Sequence, residues 1–281
     1  MSLAEFLYTV VLRPKPLKAM ANVVIRWCIP ARIERHGATV ILNQKDAVVS
    51  GAITFGVYEP AETAFFCSVC KPGMTFLDIG ANIGYYAALA SGRIGPQGKL
   101  IALEPDPENF RYLQQNVAVN GGPQAVCVQK AAAAEKGVLR LHVNRENRGD
   151  NRLYANDLCD SSFEVEVTTI DALLEGLGIE RVDLVKIDVQ GFEGHVFQGM
   201  KRTLLRSEEL ILLTEFWPFG LRSAGTSPES VLAELEQAGL RLHELTVKGR
   251  LEPLADKQAF IERHSGRKYA NIVALGRLAE V

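Results

Sequence analysis

This sequence lacks the features that would place it in several large classes. Among its 281 residues are five cysteines, Cys28, Cys67, Cys70, Cys127 and Cys159, too few and too scattered for a disulfide framework. Cys67 and Cys70 form a lone C-x-x-C, and no second cysteine or histidine pair stands at zinc spacing. Both read as reduced helix residues beside the core, no metal site is expected, and a cytoplasmic, reducing compartment fits. Neither sign of charge dominates. The net charge of −2 gives no electrostatic reason to expect nucleic acid as a partner. There is no unbroken apolar run of about 20 residues to span a membrane. Near the start, Val10, Val11, Leu12, Val23 and Val24 are mixed with Arg13, Lys15, Lys18 and Arg26 and interrupted by Pro14 and Pro16. No small-residue cleavage site follows, so secretion is not expected. The stretch predicts a helix over 17–28, either packed on the domain or in peripheral contact with a membrane surface.

What is present is ordinary globular material, 47% hydrophobic and 23% charged. A helical and extended lead-in is expected over residues 1–55, with extended segments near 39–42 and 47–54, and one larger domain over 56–281. From residue 62 the pattern alternates between helix and strand in the manner of βαβ units. Parallel strands are predicted at 75–79, 99–103, 125–129, 184–188 and 210–214, and a helix at 108–120 behind Pro107. Residues 138–143 and 163–168 alternate as an antiparallel pair would, joined by a polar linker long enough to cover a site. Strands near 240–246 and 271–275 close the chain. The fold class is α/β: a Rossmann-like, mostly parallel seven-stranded sheet with helices on both faces.

The run Thr75-Phe76-Leu77-Asp78-Ile79-Gly80-Ala81-Asn82-Ile83-Gly84 is a strand that ends on a carboxylate, turns through glycine and opens a helix. Such turns hold nucleotide cofactors. Asn82 stands where dinucleotide sites keep the glycine that admits a pyrophosphate, so NAD and FAD fit less well. A cationic, phosphate-free ligand such as S-adenosylmethionine suits Asp78 better. Glu104, twenty positions after Gly84, is placed at a strand end to accept both ribose hydroxyls. The third strand leads to Lys130-Ala131-Ala132, whose small side chains would let an adenine lie flat, although alanines there also serve plain packing. At the fourth strand end stands Asp188, and Glu193 falls in the first turn of the next helix. His195, off the apolar stripe of that helix, reads equally as surface or catalytic. Glu215 ends the fifth strand beside Trp217, an acid and an aromatic that suit a sugar or else simply pack.

With these residues in view, the chain resembles the FkbM family of S-adenosylmethionine-dependent methyltransferases. The blocks that carry the likeness are Val57-Tyr58-Glu59-Pro60, Asp78 to Gly84 with Leu103-Glu104-Pro105-Asp106, and Asp183 to Glu193 followed by Gly199. Lys186-Ile187-Asp188-Val189-Gln190-Gly191-Phe192-Glu193 is the most specific. The resemblance implies S-adenosylmethionine as donor and O-methylation of a hydroxyl on a carbohydrate, polyketide or glycolipid acceptor. Carried over by position, Glu59, Asp78, Gly80, Asn82, Gly84 and Glu104 would bind the cofactor, with Asp188 and Glu193 at the reaction centre. Asp188 is the first choice for orienting or deprotonating the hydroxyl, with Glu193, Glu215 and His195 behind it. A divalent metal on Asp188 and a second carboxylate is an alternative route to a more acidic acceptor, but no clear ligand set is visible. The rival readings are a silent cofactor-binding partner subunit and an NAD-linked oxidoreductase.

Overall fold

The computed structural model describes residues 15–121, 125–144, 147–155, 159, 161–266 and 268–281. Of the basic N-terminal stretch, Val10 to Pro14 lie outside the described residues. Helix α1 (Lys15–Cys28) is followed by the hairpin β1 (Arg32–Arg35) and β2 (Ala38–Ile41), then by α2 (Val49–Phe55) and α3 (Pro60–Val69). Helix α2 replaces the extended segment expected over 47–54. Asp46 accepts from the amides of Val48 and Val49 at 3.0 and 3.2 Å, which turns the chain into a helix. Burial of Val49 through Ile53 hides the periodicity that would have marked it. The lead-in shares the main core: Ile25, Ile29, Val40 and Val49 pack in one cluster with Phe76 and Leu89.

The alternating part runs β3 (Thr75–Ile79), α4 (Tyr85–Arg93), β4 (Lys99–Leu103), α5 (Pro107–Val119), β5 (Ala125–Val128), β6 (Ala131–Ala132), β7 (Gly137–Val143), β8 (Ser161–Thr168), α6 (Ile170–Gly176) and β9 (Leu184–Ile187). It continues with α7 (Glu193–Gln198), α8 (Lys201–Arg206), β10 (Ile211–Phe216), α9 (Pro218–Ser223), α10 (Pro228–Gln237), β11 (Arg241–Leu245), β12 (Leu251–Pro253), α11 (Lys257–Arg263) and β13 (Ala270–Leu275). The main sheet has eight strands in the order β12-β11-β13-β10-β9-β3-β4-β5. Strands β5, β4, β3, β9 and β10 are parallel, and β13 runs antiparallel between β10 and β11. Three-residue β12 adds an edge strand to the expected seven and ends on Pro253, a residue that edges tolerate.

Central strands are covered on both faces, so they read as nearly continuous apolar runs. Leu77 of β3 sits in register with Ile101 of β4 and Val185 of β9. Successive side chains point to opposite faces. Phe76 therefore packs with Phe66, Leu89 and Leu113 on one side, while Leu77 and Ile79 pack with Val196, Phe197 and Leu232 on the other. Helix α5 starts where the sequence places it, because Asp106 accepts from the amides of Glu108 and Asn109 at 2.8 and 3.1 Å and Pro107 occupies the first turn.

The expected antiparallel pair β7–β8 forms, but in a separate three-stranded sheet of order β6-β8-β7, with Ala131 beside Val167. The described part of its linker turns back: His142 and Arg152 exchange backbone hydrogen bonds of 2.7 and 2.9 Å, and a 3₁₀ turn covers Arg148–Asp150. From β3 the chain steps outward through β4 and β5, then returns to lay β9 on the opposite side of β3. That reversal opens a crevice at the carboxyl ends of β3 and β9, the ligand position of open α/β sheets. No described helix is long and apolar enough to cross a membrane, and Cys28, Cys67, Cys70 and Cys127 are free thiols.

Candidate active site

A cleft of about 350 Å³ occupies this crevice, within the size range of small-molecule sites. Eight of the residues singled out from sequence line it: Glu59, Gly80, Asn82, Glu104, Ala131, Ala132, Asp188 and Glu215. The sheet order divides them. Gly80, Asn82, Glu104 and Ala131 follow β3, β4 and β5, while Asp188 follows β9 and Glu215 lies in β10 on the other side of the reversal.

On the first side, Gly80 is left-handed, with φ 78°, and a β-carbon there would collide with the Asp188 carbonyl oxygen. Glycine is thus required for the β3 and β9 ends to meet. Asn82 also adopts a left-handed backbone, φ 52°, a conformation that asparagine tolerates. Its side chain leaves the cleft floor: Oδ1 accepts from the Ile83 amide at 2.7 Å, and Nδ2 donates to the Arg148 carbonyl at 3.4 Å. Asn82 therefore keeps the glycine-like turn and fastens the returning linker over the cleft. Glu104 receives the amides of Asn82 at 2.9 Å and Asp106 at 2.8 Å, one on each oxygen, which leaves lone pairs on both oxygens for a ligand. Asp78 lies beneath, 2% exposed, bordering a small void shared with Lys186 and Asp188. Its buried Oδ2 has no hydrogen-bond partner among the described residues. Gly84 stands behind the wall. It opens α4 with φ 83°, and a β-carbon there would meet Leu113 at 2.7 Å, so packing of α4 on α5 is what requires this glycine.

On the second side, the buried ammonium of Lys186, 3% exposed, lies 3.9 Å from both Glu59 and Asp188 and 5.4 Å from the centre of the Tyr86 ring. Glu59 also accepts from the Tyr86 hydroxyl at 2.6 Å. Gln190 donates to Asp188 at 2.7 Å and to Glu215 at 3.2 Å, joining the two strand-end carboxylates. Further along, Asn271 donates to Glu62, and Tyr269 completes the rim. Glu193 does not reach the cleft. It is 1% exposed, and its Oε1 accepts from the Val189 and Gly191 amides at 3.3 and 3.2 Å, bracing the loop that delivers Gln190. His195 stacks on Phe192 and lies 2.9 Å from the Ala224 carbonyl, a structural setting. Trp217 is sandwiched between Gly220 and the Arg152 guanidinium, 4.7 Å from its ring, and is not part of the cleft lining.

Reading along the sequence placed Lys186 and Gln190 in its most specific block without giving either a role, and passed over Arg148. Each carried a signal. A lysine inside a strand buried on both faces must have a charge partner. Arg148 pairs with Asp106 at 3.2 Å and Glu108 at 2.7 Å, two acids at the start of α5. Gln190 has φ 54°. Non-glycine residues at positive φ gather here: of His36, Glu59, Asn82 and Gln190, the last three line the cleft. Strained backbone of this kind collects at functional sites.

Burial raises four of the carboxyl groups at the cleft and beneath it. Glu59 and Asp78 are pushed to about 7, each opposed by Lys186. Glu104 reaches about 8, opposed by the Asp106 amide. Glu215 lies well above its ordinary value through burial and the charges of Asp188 and Glu193. Groups raised in the folded state hold protons that the unfolded chain has released, so stability falls as pH rises between the two values. Lys186 is raised too, by Glu59 and Asp188 against the effect of burial, and does not titrate in this window. The melting temperature of the free protein is therefore expected to fall steadily from pH 4.5 to about 8. Scanning fluorimetry across that range checks it, and a flat or rising profile contradicts it.

A family profile described as the methyltransferase FkbM domain matches residues 78–242, more than half of the chain. The methyltransferase sdnD of Sordaria araneosa is 27% identical over 176 residues, covering 52% of this chain and 68% of that protein. The 2-O-methyltransferase NoeI of Sinorhizobium fredii is 28% identical over 163 residues, 52% of this chain and 64% of the relative. The hexuronic acid methyltransferase AglP of Haloferax volcanii is 23% identical over 163 residues, 58% of this chain and 62% of the relative. The chain thus spans about two thirds or less of the length of these relatives. Among solved structures, Aeropyrum pernix fibrillarin with natively bound S-adenosyl-L-methionine aligns over 76% of this chain and 74% of its own, at 16% identity and a TM-score of 0.45.

Proposed function

We propose that this chain, which belongs to the FkbM family of methyltransferases, transfers a methyl group to a hydroxyl of a carbohydrate or a related polyhydroxylated small molecule. Its cofactor is S-adenosylmethionine, and the residues present fit that group. The orphaned, buried Asp78 Oδ2 calls for a cation or a donor. The two Glu104 oxygens, each with one amide already bound, suit vicinal hydroxyls, and Ala131 offers a small surface for a flat ring. When bound, S-adenosylmethionine supplies a methyl carbon made electrophilic by its sulfonium.

The observation that carries the acceptor reading is the row Asp188–Gln190–Glu215 beyond the turn. Asp188 ends β9 at the boundary between the two sides. Gln190 holds its Oδ1, and Oδ2 lies 3.9 Å from Lys186, which fixes the carboxyl group where it can meet a hydroxyl and take its proton. Glu215, raised toward its protonated form by burial, donates as well as accepts, as orientation of a polyol requires. Alignment of the hydroxyl by this row is the proximity contribution to an in-line displacement. The names of two relatives, a 2-O-methyltransferase and a hexuronic acid methyltransferase, support a sugar hydroxyl.

Isothermal calorimetry tests the cofactor side. S-adenosylmethionine or its demethylated product is expected to bind far more tightly than NAD, and Glu104→Ala is expected to weaken that binding by about 1–3 kcal/mol. Equal affinity for NAD returns the oxidoreductase reading. On the acceptor side, the methylated product is expected to be an alkali-stable ether. An N-methyl or carboxyl-methyl product overturns the O-methyl assignment, and binding without turnover on any glycan favours the silent subunit.

A further inference from the structure

Helix α1 has two apolar faces where a helix packed on a domain needs one. Ile25 is buried at 8% exposure, as is Ile29 just beyond the helix at 2%, which seats α1 on the core, where it packs on α2. Val23, Val24 and Trp27 are 54%, 64% and 89% exposed. At 3.6 residues per turn these three fall within an arc of about 100°, and Trp27 lies roughly 160° from Ile25. A tryptophan left almost wholly in water beside two valines requires an explanation, whereas a single exposed leucine would not. The surrounding charge has one sign. The helix has no acidic residue in its sequence, KPLKAMANVVIRWC. The first 35 residues contain Arg13, Lys15, Lys18, Arg26, Arg32 and Arg35 against Glu5 and Glu34, an excess of four positive charges in a chain of net charge −2.

From this pairing of an exposed aromatic-aliphatic face with a basic segment, we infer that α1 docks on an anionic lipid bilayer, with Trp27, Val23 and Val24 in the headgroup region. Tryptophan prefers that boundary because its ring is apolar and its N–H is polar. Basic residues on an interfacial helix are drawn to acidic lipid headgroups. A second copy of the chain is a poorer occupant. It would bring two positive segments face to face, across three side chains that fall well short of the roughly 800 Å² per partner of a stable interface. Val49 and Ala52 of α2, on which α1 rests, line the cleft, so docking holds the cleft at the lipid surface.

The test uses the full chain with two kinds of vesicle, phosphatidylcholine alone and phosphatidylcholine with phosphatidylserine in a ratio of roughly two to one. Sedimentation with the anionic vesicles, together with a blue shift of tryptophan emission, is expected, and both should weaken with added salt. Trp27→Ala should remove the emission shift, and the pair Lys18→Glu and Arg26→Glu should lower the bound fraction about tenfold or more. Melting temperatures matching the parent show that these variants still fold. Three results overturn the proposal: equal or absent binding to the two vesicle types, concentration-dependent dimerisation that shields Trp27, and a Trp27 already protected from a soluble quencher without lipid. The last would mean that residues 1–14 cover this face.

Discussion

Asp188→Asn is expected to lower kcat by about 10²–10⁴, the range for a lost general acid–base group, while S-adenosylmethionine affinity changes little. The substitution keeps the size of the side chain. Its amide oxygen still receives the Gln190 hydrogen bond, 2.7 Å in the parent, so the loop should stay in place. What disappears is the carboxylate beside Lys186, the group proposed to accept the hydroxyl proton. Binding should survive because Glu104, Asn82 and Ala131 stand at other strand ends.

The same variant has a second signature. The charge of Asp188 pushes up Glu59, Asp78, Glu193 and Glu215. Removing it should bring all four closer to ordinary carboxylates and flatten the decline of stability with pH. A structural role alone would lower stability without altering that slope. A matching loss of cofactor affinity would make Asp188 a cofactor ligand and pass the proton to Glu215. Unchanged turnover and affinity together would remove it from the site.

Much of this arrangement was legible in the sequence because the central strands obey a simple rule. Strands covered on both faces are mostly apolar, so 75–79, 99–103 and 184–187 stand out, and the acids Asp78, Glu104 and Asp188 fall in or just after their last residues. What stayed hidden depends on residues far apart in the chain. Lys186 gains meaning only when α3 brings Glu59 within 3.9 Å. Trp217 looked available to a sugar because nothing near it in sequence shows that Arg152, from the β7–β8 linker, lies over its ring. Glycine spacing says where backbone is permissive and nothing about why. At Gly80 the crowding comes from Asp188, beside the cleft, and at Gly84 from Leu113, behind it. Glu193 was correctly found as an acid beside the turn, but its oxygen is used by the Val189 and Gly191 amides.

Lys186→Met is expected to be the most destabilising substitution in the cleft. Methionine matches the length of the lysine stem but leaves Glu59 and Asp188 without the ammonium 3.9 Å from each. Removing one partner of a buried ion pair costs about 3–5 kcal/mol, because the remaining charge is left uncompensated. The lower end fits here, since the Glu59 and Asp188 side chains retain 26% and 25% exposure. The loss should depend on pH. Glu59 sits at about 7 even with Lys186 drawing it down, so without the lysine it holds its proton to still higher pH. Near pH 5 the carboxyl is already neutral and little is lost, whereas near pH 8 the variant must either bury a bare anion or take up a proton. Urea melts at about pH 5, 7 and 8 should therefore diverge from the parent as pH rises. A difference that is constant across pH, or below about 1 kcal/mol as for an exposed pair, would mean that Lys186 packs in the cleft without setting its charge. If instead the divergence is seen and turnover falls with it, Lys186 and Asp188 act as one unit. Their double variant should then lose less than the sum of the two single losses.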